Sequence, residues 1–120
     1  MSRTTLVLGA SPKESRYSNM AVRKLVGHGH PVIAVGLRTG DIEGTPIVTE
    51  VPLGQSVDTV TLYMNADNQR AWEQRILALK PRRIIFNPGA ENERLAGSAS
   101  AIGIEPIEAC TLVMLGTGQY

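Results

Sequence analysis

Four short apolar runs with almost no polar alternation constrain the fold of this chain more than any other feature. They are "TTLVLG" (Thr4–Gly9), "PVIAVG" (Pro31–Gly36), "DTVTLYM" (Asp58–Met64) and "RRIIFN" (Arg82–Asn87). A strand with one wet face alternates apolar and polar residues. These runs do not, so both of their faces are buried and helices must cover the sheet above and below. The cover is visible between them. Ala21, Val22, Leu25 and Val26 recur at helical spacing from Ser18 to about Gly27, with Ser18 as candidate N-cap. Trp72, Ile76 and Leu79 share a helical face before the fourth run, and Leu95, Ala99 and Ile102 share one after it, despite Gly97. "IEPIEA" (Ile104–Ala109) is a short fifth run, which Pro106 assigns to a sheet edge because proline lacks a ladder donor.

Alternating strands and helices predict an α/β fold: a Rossmann-like, doubly wound, mostly parallel five-stranded sheet with helices on both faces. The Gly- and Pro-punctuated stretch "RTGDIEGTPIVTEVPLGQS" reads as a loop. At most it holds a short extended piece at Ile47–Thr49 and one helical turn.

Size and charge narrow the function. The 120 residues predict one domain spanning 1–120. Twelve basic residues against eleven acidic leave a net charge of +1, which points to neither a nucleic-acid nor a membrane-surface partner. The single cysteine, Cys110, has no intramolecular partner, and no Cys/His cluster has zinc-ligand spacing; a reducing cytoplasm is the expected compartment. The apolar run near the N-terminus is too short for a signal-peptide core or a spanning helix. A homodimer is favoured only by the general frequency of two-fold dimers.

In sheets of this kind ligands bind beyond the carboxyl ends of the strands. After the first strand, "GASPKESRYS" lacks the dinucleotide fingerprint: of the three glycines in G-x-G-x-x-G only Gly9 is present, with Ser11 and Glu14 at the other two positions. Ser11, Lys13, Arg16 and Ser18 nevertheless surround an expected helix entrance, where amides and dipole attract anions; the alternative is an ordinary βα loop with solvated side chains. After the second strand, an NAD site wants an acid for the ribose hydroxyls, whereas "VGLRTG" offers Arg38. An arginine pairs with a phosphorylated ribose, which favours NADP or coenzyme A over NAD, unless Arg38 is simply a surface residue. "YMNADN" after the third strand either lines a groove with Met64 and Asn65 or caps a helix. "NPGAEN" turns sharply at Pro88–Gly89 beside Asn87, and Asn92 reads as an N-cap. No Ser–His–acid set or carboxylate pair stands out, and "GHGHP" (His28, His30) reads as a surface turn at the opposite end of the sheet.

Taken in order, "LVLGASPKESRYSNMAVRKL", "HPVIAVGLRTGDIEGTPIV", "VDTVTLYMNADN" and "NPGAENERLAGSASAIGIEPIEACTLVML" resemble the stand-alone CoA-binding domain proteins. That family is similar to the N-terminal CoA-binding domain of the succinyl-CoA synthetase alpha subunit. The resemblance covers nearly the whole chain and implies binding of coenzyme A or an acyl-CoA without catalysis of its own. By match to the family's motifs, Gly9, Ala10, Ser11, Arg16 and Ser18 hold the phosphate region. Gly36 and Arg38 face the phosphorylated adenosine, Met64 and Asn65 flank the pantetheine, and Asn87, Pro88 and Gly89 lie beyond it. Relatives often carry Asn-Pro and a lysine where this chain has Gly36-Leu37-Arg38, so the charge is kept in a different geometry. The synthetase's later, phosphohistidine-bearing domain has no counterpart here, so ligase activity is not implied. With the phosphates at the helix entrance and Arg38 and the pantetheine running across the strand ends, the CoA thiol is expected to come near Cys110, which would allow a CoA mixed disulfide. The rival expectations are an NADP-dependent oxidoreductase and a ligand-free protein-interaction module.

Overall fold

In the computed structural model, which describes residues 3–120, the buried runs form the middle of one twisted sheet. The elements are β1 (Thr5–Leu8), α1 (Tyr17–Gly27), β2 (Val32–Val35), β3 (Gly40–Ile42), β4 (Thr45–Val48), β5 (Thr59–Leu62), α2 (Ala66–Gln69), α3 (Glu73–Leu79), β6 (Arg83–Phe86), α4 (Glu93–Ala101), β7 (Glu105–Glu108) and α5 (Thr111–Gly116). The strand order is β3-β4-β2-β1-β5-β6-β7, with every pairing parallel except β3 with β4. The order departs in one direction from β1 to β2 and β4 and in the other from β1 to β5, β6 and β7. The switch point of this doubly wound sheet therefore lies between the carboxyl ends of β1 and β5, where such folds bind ligands.

The sheet has seven strands rather than the expected five. The two additions are the β3–β4 hairpin, drawn from the stretch read as a loop. Its two-residue turn, Glu43-Gly44, has positive φ at both positions (46° and 93°), as a tight hairpin turn requires, and the Asp41 carboxylate accepts from the Gly44 amide at 2.9 Å. Glutamate is an unusual first residue for that turn, and Pro46 argued against a strand. Pro46 sits opposite Asp41, before β4 joins β2 at Ala34–Ile47, so its missing donor interrupts no parallel ladder.

Alternate residues of the central strands feed two cores. Leu6, Leu8, Val60, Leu62, Ile84 and Phe86 pack with Trp72, Ile76, Leu95 and Ala99 on one face. Val7 and Ala34 pack with Val22, Leu25 and Leu115 on the other. Three local expectations change. Helix α1 starts at Tyr17 with Arg16 at the N-cap, so Ser18 lies inside the first turn, buried, and is not the cap. The helix expected across Trp72 is broken in two, because the Trp72 amide bonds back to the Gln69 carbonyl (2.9 Å) and the indole turns into the core. Ile102 closes α4 and is 56% exposed; Ile104, after the turn at Gly103, takes the buried place. Pro106 and β7 sit at the sheet edge as expected.

Candidate functional site

The loops after β1, β2, β5 and β6 enclose a groove of about 920 Å³, within the range of roughly 300–1,000 Å³ common for small-molecule sites. Its lining runs from Leu37 and Arg38 on the β2–β3 loop, across Gly9–Lys13 and Arg16–Ser18, past Tyr63–Asn65 and Asn68, to Ala71, Trp72 and Pro88–Ala90. Gly9, Ala10, Ser11, Arg16, Ser18, Arg38, Met64, Asn65, Pro88 and Gly89 thus share one cavity. Gly36 and Asn87 do not line it.

The first wall is the β1–α1 loop. Gly9 adopts φ +96°, and a Cβ there would lie 2.9 Å from the Tyr63 carbonyl oxygen, so glycine is needed for both conformation and space where the loops after β1 and β5 part. Gly36 has a different task. A Cβ on it would lie 2.3 Å from the Ala10 carbonyl oxygen, and the Gly9 and Ala10 amides both donate to the Val35 carbonyl at 2.9 Å. The end of β2 is therefore the bed on which the β1 loop rests. Asn19 Nδ2 donates to the Ser11 carbonyl (2.9 Å), Arg23 Nε donates to Asn19 Oδ1 (2.8 Å), and Arg23 also reaches the Glu14 carbonyl at 3.2 Å. Sequence reasoning passed over Asn19 and Arg23, because bracing side chains one helical turn inside α1 carry no motif.

No side chain caps α1 and no acid lies in its first turn. Its leading amides and positive dipole end are left to solvent or ligand. Lys13, Arg16 and Arg38 are the charged residues among the described lining, which includes no Asp or Glu. This end of the groove is the cationic one.

The far wall is neutral, and Gln69 holds it. Its side chain is fully buried; Nε2 donates to the carbonyls of Met64 and Ala90, both at 2.8 Å, while Oε1 accepts from Asn92 Nδ2 at 2.8 Å. Gln69 thus ties the loop after β5 to the loop after β6. Asn92 also caps α4 through the Leu95 amide, as its position suggested, and donates to Glu73 Oε2 at 3.1 Å. Burial alone would raise the Glu73 carboxyl, but the Arg94 guanidinium and the Asn92 amide outweigh it and hold the group below its ordinary value. Asn65, a candidate for the groove, also caps α2 by accepting from the Asn68 amide at 2.9 Å.

Asn87 is buried beneath the site. Its Nδ2 donates to Thr61 Oγ1 (2.6 Å) and the Leu62 carbonyl (2.8 Å), and its Oδ1 accepts from the Thr111 amide (2.9 Å), fastening α5 to the sheet. Tyr63 is among the lining residues, its side chain packs against the core formed by Val7, Val22, Leu25 and Leu115, and its hydroxyl lies buried without a partner; the Thr61 and Thr111 hydroxyls near it bond to each other at 2.7 Å. Burial pushes the Tyr63 phenol up to about 12, so it stays protonated at neutral pH. Cys110, half-buried before α5, does not line the groove. Among the described residues no group of His, Cys, Asp and Glu is placed to hold a metal ion, and no helix is long and apolar enough to cross a membrane.

The fold and the site together define a Rossmann-like domain whose switch-point groove is lined by three cations and, among the described residues, no carboxylate residue. Residues 3–116 match the CoA binding domain family, and the chain belongs to that family. It is 48% identical to an uncharacterized protein of known crystal structure, over 100% of this chain and 99% of that one, with a TM-score of 0.96. The fold recurs in cell-free ID.343 from Thermus thermophilus at 21% identity, covering 99% of this chain and 91% of that one, with a TM-score of 0.86. It recurs again in the dinucleotide-forming acetyl-coenzyme A synthetase 1 of Ca. Korarchaeum cryptofilum at 15% identity, covering 89% of this chain and 25% of that one, with a TM-score of 0.74. Comparison with curated proteins gives no match.

Proposed function

We propose that the groove binds coenzyme A, and that the chain acts by binding it rather than by transforming it. The observation that carries this reading is the charge distribution of the lining: Lys13, Arg16 and Arg38 come from the adjacent loops after β1 and β2, and no carboxylate residue is in the described lining. The pyrophosphate would sit at the uncapped start of α1 with Ser11, Arg16 and Ser18, and Arg38 would pair with the phosphate on the ribose. Asn65 and Asn68, uncharged amides midway along, suit the amides of pantetheine. Membership of the CoA binding domain family supports the same ligand. The lack of a charged residue among the described lining on the loops after β5 and β6 supports binding without catalysis. A cytoplasmic location fits such a ligand.

Arg38→Ala tests the assignment of the ribose phosphate. By calorimetry, the wild-type chain is expected to bind CoA about tenfold or more tightly than dephospho-CoA, the scale of one charge-assisted pair. Arg38→Ala is expected to erase that preference while leaving dephospho-CoA affinity almost unchanged. A preference that survives the substitution would remove Arg38 from the site.

A further inference from the structure

The neutral end of the groove is specified more narrowly than CoA binding requires. It is lined by Met64, Ala71, Trp72, Pro88 and Ala90. Several of its backbone polar groups are already engaged. The Met64 and Ala90 carbonyls accept from Gln69, the Ala90 amide donates to the Asn87 carbonyl at 2.8 Å, and the Gly89 amide donates to Glu91 Oε1 at 2.9 Å. What remains for a ligand at this end is mainly apolar side chain: a thioether, methyl groups, a proline ring and an indole.

Charge reinforces the limit. The three lining cations all belong to the loops after β1 and β2, and none of the described lining residues on the loops after β5 and β6 is charged. Glu91, holding the Gly89 amide, places a carboxylate beside the far loop. Of the arginines on the adjoining helices, Arg75 lies over the Trp72 ring at 5.2 Å and Arg94 is paired with Glu73 at 2.8 Å; these two and Arg70 are outside the lining. A ligand seated with its phosphates at Lys13, Arg16 and Arg38 runs its other end into this apolar pocket.

Resting on the CoA reading, we infer that the chain prefers acyl-CoA thioesters with an uncharged aliphatic acyl group, which lies against Trp72, Met64 and Ala71, and discriminates against dicarboxylic acyl groups. Each methylene withdrawn from water is worth about a fourfold gain in affinity. An acyl carboxylate would have to be desolvated at this end with no lining cation to receive it.

Calorimetric titration of the full chain with CoA, hexanoyl-CoA and succinyl-CoA tests the inference. Hexanoyl-CoA is expected to bind about tenfold or more tightly than CoA, and succinyl-CoA no more tightly than CoA. Ala71→Arg, at an exposed position, is expected to narrow the gap between hexanoyl-CoA and succinyl-CoA by about tenfold, because it supplies the missing cation. Equal affinities for CoA and hexanoyl-CoA would overturn the acyl preference and leave CoA binding standing. Succinyl-CoA as the tightest ligand of the wild-type chain would overturn it too, and would point to Arg75 as the receiving group. Binding of none of the three would overturn the CoA reading and the acyl preference together.

Discussion

Gly36→Val is expected to destabilise the chain by roughly 3 kcal/mol, the upper end of the cost of overpacking, and to lower CoA affinity at least about tenfold. The cause is backbone against backbone. Even the first carbon of a side chain at this position would lie 2.3 Å from the Ala10 carbonyl oxygen and 3.1 Å from Ile47 Cγ2. A flexible side chain would swing aside from such a contact; a carbonyl held in a loop moves only with the loop. The Gly9 and Ala10 amides are anchored on the Val35 carbonyl next door, so relief requires the β1–α1 loop to leave its bed, carrying Ser11 and Arg16 with it. Urea denaturation and calorimetry with CoA read the two effects separately. Gly27→Ala is the matched control, since a Cβ at Gly27 meets nothing within 4 Å. An unchanged midpoint and affinity in Gly36→Val would show that the loop does not depend on this contact.

Gln69→Leu is expected to cost about 3–5 kcal/mol, because it leaves the carbonyls of Met64 and Ala90 without this donor and one of the two Asn92 amide hydrogens unpaired, the other still donating to Glu73, at roughly 1–3 kcal/mol for each buried group so orphaned. That is a large share of the roughly 5–15 kcal/mol by which domains are stable. Gln69→Glu keeps the size but at neutral pH offers acceptors where two carbonyls need donors, so it is expected to be no better tolerated. Thermal or urea unfolding of both variants gives the result. A loss below about 1 kcal/mol in Gln69→Leu would mean that the two loops are held by packing and not by this amide.

These two residues also mark the boundary of what the sequence makes legible. The central strands declared themselves, because β1, β2, β5 and β6 are apolar without alternation and only a doubly covered sheet accommodates that. From such a sheet the ligand-binding edge follows by rule, which is why the loops after β1, β2, β5 and β6 stood out before any contact was known. The β3–β4 hairpin was hidden by Glu43 in a turn that usually takes Asn or Asp and by Pro46 in a strand. The break between α2 and α3 was hidden because Trp72, Ile76 and Leu79 fit one continuous helix equally well. Gln69 and Gly36 left no local trace at all. Gln69 bonds to residues 5, 21 and 23 positions away, and Gly36 meets a carbonyl from another strand's loop; such dependences arise only once the chain is folded. Asn87 is the converse case. It occupies a motif position at the sheet's ligand edge, yet its side chain is spent on Thr61, Leu62 and Thr111.

The central claim is that the cationic, acid-free groove at the β1–β5 switch point takes coenzyme A. Calorimetric titration of the wild-type chain with CoA, NADPH and NAD addresses it most directly. One CoA is expected to bind per chain, competing with and tighter than NADPH, with no measurable binding of NAD. Binding of NADPH without CoA, or of neither, would contradict it.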